Sequence, residues 1–347
     1  MSLNDVMAGT EQTMSSAGHF RLELTMSDHD TLSFPYRRFA APDVILVATD
    51  LEDDIDYLLP HAVAQARAAE ATLVLATVVP PAEGSALNTT ALLPAEAAVN
   101  AQDAKRRLRN IASLMTNAGV ACEVVVRHGL PAGVIPEIAR EVGATRVIVG
   151  THGRRSVKKL LLGSVANSIL RKVEVPICTI GPQASYGAPV GKPRRILHPV
   201  SLTPGYEHSA RVALEIAQYY QAEIRLLHIL PPGYQQGKEA ERLAEWTRAE
   251  LSRLIPEEAP LWIVSSVQVE EGTVVGKTLD AANQMNADLI VLGVNPGQSF
   301  WSLGEDNLAY DVILQAGCPV LTVRRSPAPY EGETVHQDSR SIPVRAS

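Results

Sequence analysis

Short apolar runs recur along this chain, each followed by a longer stretch with helical spacing. Asp43 to Thr49 is the first run, and its unbroken apolar character predicts a strand buried on both faces. Ile55 to Glu70 is Ala-rich and amphipathic and predicts a helix. Ala71 to Val79 predicts a second strand, stopped by Pro80-Pro81. Ala95 to Ala118 reads as a long helix ended by Gly119, and Val120 to Arg127 as a third strand. Pro131 to Val142 then predicts a helix, Arg146 to Val149 a fourth strand, Val165 to Arg171 a helix and Val175 to Ile180 a fifth strand. Strands alternating with helices imply an α/β domain built on a mostly parallel sheet covered on both faces.

After a Gly- and Pro-containing linker the plan repeats. Arg195 to Leu202 lies over Val44 to Leu51, and Ala222 to Pro232 lies over Ala71 to Pro81, again ending in Pro-Pro. Gly272, Gly276, Ala287 and Gly293 lie over Gly129, Gly133, Ala144 and Gly150 without a gap. The chain therefore carries an internal duplication of a unit of roughly 130–140 residues. The expected domains are 43–182 and 194–325, joined by the linker 183–193, with a polar leader over 1–42 and a polar tail over 326–347. Within the leader, His19 to Met26 alternates weakly and could form a short edge strand.

Composition narrows the function. The net charge of -7 gives no reason to expect nucleic-acid binding, which usually needs a basic face. No apolar run reaches the length of a membrane span, and no signal peptide is read. Cys122, Cys178 and Cys318 sit singly in apolar surroundings and match neither a metal spacing nor a disulfide framework. A reducing cytoplasm is the expected location.

The stretch Gly150-Thr151-His152-Gly153, nine further residues, then Gly163-Ser164, carries the candidate chemistry. It lies between the fourth strand and the following helix. Gly150 and Gly153 let the backbone approach a ligand where a Cβ would clash. Gly163, Ser164 and Val165 open the helix, where free N–H groups and the positive end of the dipole favour a phosphate. The Ser164 hydroxyl can donate to that phosphate or cap the helix. Arg154, Arg155, Lys158 and Lys159 lie within the loop and could pair with phosphate oxygens, or simply form a solvated face.

This spacing, with its strand and helix context, resembles the nucleotide signature of the universal stress protein family, in its ATP-binding branch. The resemblance covers both repeats, so the chain is similar to a tandem of two such domains. It implies two five-stranded sheets of order 3-2-1-4-5 that pair as an intramolecular pseudo-dimer through their last strands. It implies ATP at the carboxyl ends of the strands, with Ala48 and Thr49 lining the adenine pocket and Asp50 near the ribose or adenine. Val78 matches the position whose backbone reads the adenine edge, and Gly129 matches a glycine near the nucleotide. Asp50 could also help to hold Mg²⁺. An unidentified protein partner and a homodimer are compatible with the family.

The second repeat departs from the signature. In the ungapped register that starts at Gly129, Gly153 becomes Pro296, Gly163 becomes Asp306 and Ser164 becomes Asn307, and in the register of the first two strands Asp50 becomes Ser201. Pro296 has no N–H, and Asp306 puts a carboxylate where phosphates would sit. Only the first domain is therefore expected to bind ATP. Phe300 and Trp301 fall in the corresponding loop and suggest packing between lobes or subunits. No Walker A ending and no Gly-x-Gly-x-x-Gly follows the first strand. Phosphate binding is not phosphoryl transfer, so a nucleotide-binding stress or signalling module is expected, at most a slow ATPase. The other reading is an interaction scaffold that takes no nucleotide and docks a partner on the aromatic loop.

Overall fold

The computed structural model describes residues 43–51, 54–81, 93–151, 163–184, 192–233, 238–257, 259–261, 263–294 and 308–324 of the 347. The leader strand at His19 to Met26, the positions Gly153 and Arg154 with the rest of 152–162, the loop holding Pro296, Phe300, Trp301, Asp306 and Asn307, and the tail lie outside them.

The first lobe runs β1 (Val44–Ala48), α1 (Asp54–Ala69), β2 (Thr72–Val79), α2 (Leu93–Asn117), β3 (Cys122–His128), α3 (Pro131–Glu141), β4 (Arg146–Gly150), α4 (Ser164–Lys172) and β5 (Ile177–Ile180). The second runs β6 (Arg195–Pro199), α5 (Tyr206–Tyr220), β7 (Glu223–Leu230), α6 (Lys238–Arg253), β8 (Ser265–Glu271), α7 (Val274–Gln284), β9 (Leu289–Val294), α8 (Leu308–Gln315) and β10 (Val320–Arg324). A 3-10 turn at Ala259–Leu261 precedes β8. The strands form one ten-stranded sheet of order β3-β2-β1-β4-β5-β10-β9-β6-β7-β8. Each half thus has the order 3-2-1-4-5, and every pairing is parallel except β5 with β10. At that seam Thr179, Cys178 and Ile177 face Val320, Leu321 and Thr322 in antiparallel register, which is the expected pseudo-dimer.

The alternation of the pleat decides the layers. Leu46, Ala48, Val74 and Ala76 face α3 and α4 in one buried cluster that continues through Val320 and Ile313 into Leu197, Leu227 and Ile290 of the second lobe. The core therefore crosses the seam, where Thr179 and Thr322 are buried beside Val320 and Ile177 and the Thr322 hydroxyl donates to the Ile177 carbonyl at 3.3 Å. A second exchange fixes the seam at its ends. A Cβ on Gly181 would lie 2.2 Å from the carbonyl oxygen of Ile313 in the other lobe's last helix. Arg324, the last residue of β10, donates in turn to the carbonyl of Arg171 near the end of α4.

Candidate functional site

The strand order turns between β1 and β4, and their carboxyl ends open a crevice of the kind that takes ligands in open α/β sheets. Several of the predicted residues lie along this edge. Ala48 ends β1, opposite Ala76 and Val149. Thr49 and Asp50 follow, with Asp50 exposed and Thr49 buried. Val78, 8% exposed, lies two residues beyond Ala76 on β2. Gly150 ends β4 opposite Ile180. Gly129 follows β3 and donates its N–H to the carbonyl of Val79 at 3.1 Å.

The turn after β1 has its own internal support. The Leu51 N–H donates to Thr49 Oγ1 at 2.9 Å, and Leu51 sits at φ 63, a left-handed conformation that costs an ordinary residue roughly 1–2 kcal/mol. Arg107, on α2, donates to the Leu51 carbonyl and holds the turn from outside. Sequence reading missed Arg107. Its only signal was a basic residue on a long helix that also carries several others.

The two ends of the signature loop are joined. The Gly163 N–H donates to the Thr151 carbonyl at 2.9 Å, and a Cβ at position 163 would come within 3.3 Å of that same oxygen. Gly163 is also the N-cap of α4, and its carbonyl accepts from the Asn167 N–H. Ser164 is therefore the first helical residue rather than the cap, which corrects the capping role open to it from sequence. Among the described residues no side chain caps this helix end. The N–H groups of Ser164, Val165 and Ala166 head the helix where no intrahelical acceptor precedes them. They mark an anion-favouring end beside the crevice.

The second lobe separates what belongs to the fold from what belongs to the site. Gly272 repeats Gly129: φ is 145 against 134, and its N–H bonds Leu230 as Gly129 bonds Val79. A Cβ at 129 would approach Val134 Cγ2 to 2.9 Å, and one at 272 would approach Lys277 Cε to 3.1 Å. Both glycines thus answer a backbone need of the strand-to-helix turn. Leu202, at φ 51, repeats the left-handed Leu51. Ser201 stands where Asp50 does, and its hydroxyl pairs with Thr203 at 2.9 Å. The shared turns are scaffold, and the carboxylate of Asp50 is peculiar to the first lobe. Among the described residues no group of three His, Cys, Asp or Glu side chains is placed to hold a metal ion. Asp50 would offer Mg²⁺ one carboxylate.

Among the described residues no helix is long and apolar enough to cross a membrane. The universal stress protein family model matches residues 42–180 and again 192–324. A universal stress protein of Methanocaldococcus jannaschii is 29% identical over 79 residues, 23% of this chain and 49% of the relative. A second from the same organism is 30% identical over 100 residues, 29% of this chain and 55% of the relative. The chain thus spans about half the length of these curated relatives. The crystal structure of a universal stress protein from Archaeoglobus fulgidus superposes with a TM-score of 0.61 at 18% identity, covering 82% of this chain and all of that one, a likeness of fold. With two family matches lying over two copies of one strand order, this chain belongs to the universal stress protein family as a tandem of two domains.

Proposed function

We propose that the first lobe binds ATP at the carboxyl edge of β1 and β4 and that the chain acts in the cytoplasm as a nucleotide-dependent stress-response module. One observation carries the reading most directly. The Gly163–Thr151 closure sets the start of α4, with Gly163 as its N-cap, beside the edge where Ala48, Thr49 and Asp50 end. A phosphate there meets backbone N–H groups and the helix dipole, and Asp50, exposed just after β1, serves the ribose hydroxyls in this reading. Gly153 and Arg154 complete the phosphate loop in this proposal. The proposed domain limits remain 43–182 for the binding lobe and 194–325 for its partner. The second lobe carries Asp306 and Pro296 at the matching positions and takes no ATP. The three cysteines are free thiols, in keeping with a reducing compartment.

The test is calorimetric titration of ATP, with and without Mg²⁺, into nucleotide-stripped protein. One site per chain is expected. Gly163→Asp forces a Cβ against the Thr151 carbonyl and adds an anion at the phosphate position. It should weaken binding at least tenfold, about 1.4 kcal/mol. Two equivalent sites, or unchanged affinity in the variant, would overturn the assignment. No binding at all would favour the interaction scaffold instead.

A further inference from the structure

The outer edge of β3 carries a pattern that its counterpart in the other lobe lacks. β3 lies at one end of the sheet and, among the described residues, pairs on one side only, with β2. The direction of its backbone groups can be read from the ladder. Leu73 N–H bonds the Ala121 carbonyl, and Gly129 N–H bonds the Val79 carbonyl. Odd-numbered residues of β3 therefore turn their polar groups to β2, and Cys122, Val124, Val126 and His128 turn theirs outward.

The side chains along this strand read Cys-Glu-Val-Val-Val-Arg-His. The sequence is charge-palindromic about Val125, with Glu123 two residues before it and Arg127 two residues after. Both charged side chains are exposed. Arg127 pairs with Glu141 of α3, and both partners of that pair are about half exposed, so adding or exchanging a carboxylate costs little. Beside the strand on the α2 side runs an open groove of about 680 Å³, lined by Lys105, Arg109, Ser113, Asn117, Cys122 and Val124.

We propose that β3 of one chain pairs antiparallel with β3 of a second copy, about a two-fold axis through Val125. In that register Val124 meets Val126 of the second copy in a hydrogen-bonded pair, and Cys122 meets His128. Every outward N–H and carbonyl of β3 gains a partner. Glu123 faces Arg127 of the second copy, and Arg127 faces Glu123, both as non-hydrogen-bonded pairs, where facing side chains come closest. The groove beside α2 receives the even-numbered side chains of the incoming strand. The contact is isologous, so it closes at two chains and builds no filament.

The opposite edge does not offer this. β8 reads Ser-Ser-Val-Gln-Val-Glu-Glu. Pairing it with itself about Gln268 sets Ser266 against Glu270, with no opposite charge to meet. Glu270 is already held by Gln268 at 2.8 Å and Lys277 at 3.3 Å.

The test is sedimentation equilibrium of the full chain across a range of concentrations. A reversible dimer is expected. Glu123→Arg and Arg127→Glu should each raise its dissociation constant on the order of tenfold or more, because each turns both facing pairs into like charges. The double variant Glu123→Arg with Arg127→Glu restores opposite charges across the axis and should return the constant to near its starting value. Val124→Pro removes an outward N–H without touching the β2 ladder and should also dissociate the dimer. Far-UV circular dichroism of each variant checks that the fold is kept. In hydrogen exchange, the amides of Val124 and Val126 should become protected as concentration rises, and those of Val125 should not change. A chain monomeric at all concentrations would overturn the proposal, with the edge charges then acting only as guards against pairing. So would single reversals that dimerise as the parent does, or a double variant that fails to recover.

Discussion

Glu215 lies on α5 with both carboxylate oxygens buried and without a hydrogen-bond partner among the described residues. Burial pushes its pKa up to about 7, against the smaller opposing pull of Arg211. A carboxyl group whose pKa is raised on folding favours the protonated folded state. Its contribution is fully present below the ordinary value of 4.5 and is lost as pH rises to about 7. Stability should therefore fall over that window, and Glu215→Gln should flatten the fall, as read by urea unfolding at a series of pH values. A persistent slope in the variant would assign it to other groups. Arg146 shows the opposite arrangement, a buried charge that is answered. Its Nη2 lies 2.9 Å from Asp43 Oδ2, and its Nη1 reaches Gln65 in its own lobe and Tyr220 in the other. From sequence these were only polar residues at the start of two apolar runs. Nothing in a pattern of apolar spacing shows that two strands set side by side, β1 and β4, bring position 43 against position 146.

The elements were legible in the sequence because each strand is an apolar run bounded by turn residues. Their starts were less so. β3 begins at Cys122 rather than Val120, because the Val120 N–H is still bonded to Met115 of the preceding helix. β5 begins at Ile177 rather than Val175, because Pro176 has no N–H to give and contributes only its carbonyl, to Val147. Around the candidate site, glycine spacing marked the strand-end turns, at Gly129, Gly150 and Gly163. The left-handed Leu51 was not, since leucine carries no turn signal. Gly181 was also passed over. Its lack of a side chain serves the approach of α8, not a ligand. Gly181→Ala should force β5 and α8 apart and destabilise the protein by about 1–3 kcal/mol, measured as a lower urea midpoint with little change in ATP affinity. An unchanged midpoint would show that the seam yields freely.

At the scale of the molecule, duplication and strand order were both readable, because the register runs without a gap from Gly129 over Gly272 onward. What two repeats cannot reveal singly is how far their cores merge. Here the apolar cluster passes from Leu46 to Leu197 through the β5–β10 seam. One cooperative unfolding transition is therefore expected for both lobes. The three tryptophans, Trp246, Trp262 and Trp301, all belong to the second repeat, so tryptophan fluorescence follows that lobe while far-UV circular dichroism follows both. Coincident urea curves would bear out the joint core, and separated ones would show lobes that melt independently.

The seam also has a consequence for inheritance. When two identical chains assemble about an axis, any change in the gene is written into both halves at once, and a damaged binding loop is damaged twice. Here the same antiparallel join is made between two stretches of a single chain. Each half is spelled separately. Asp306 can stand in one loop while Gly163 is kept in the other, and the pairing of β5 with β10 that both halves need is left intact.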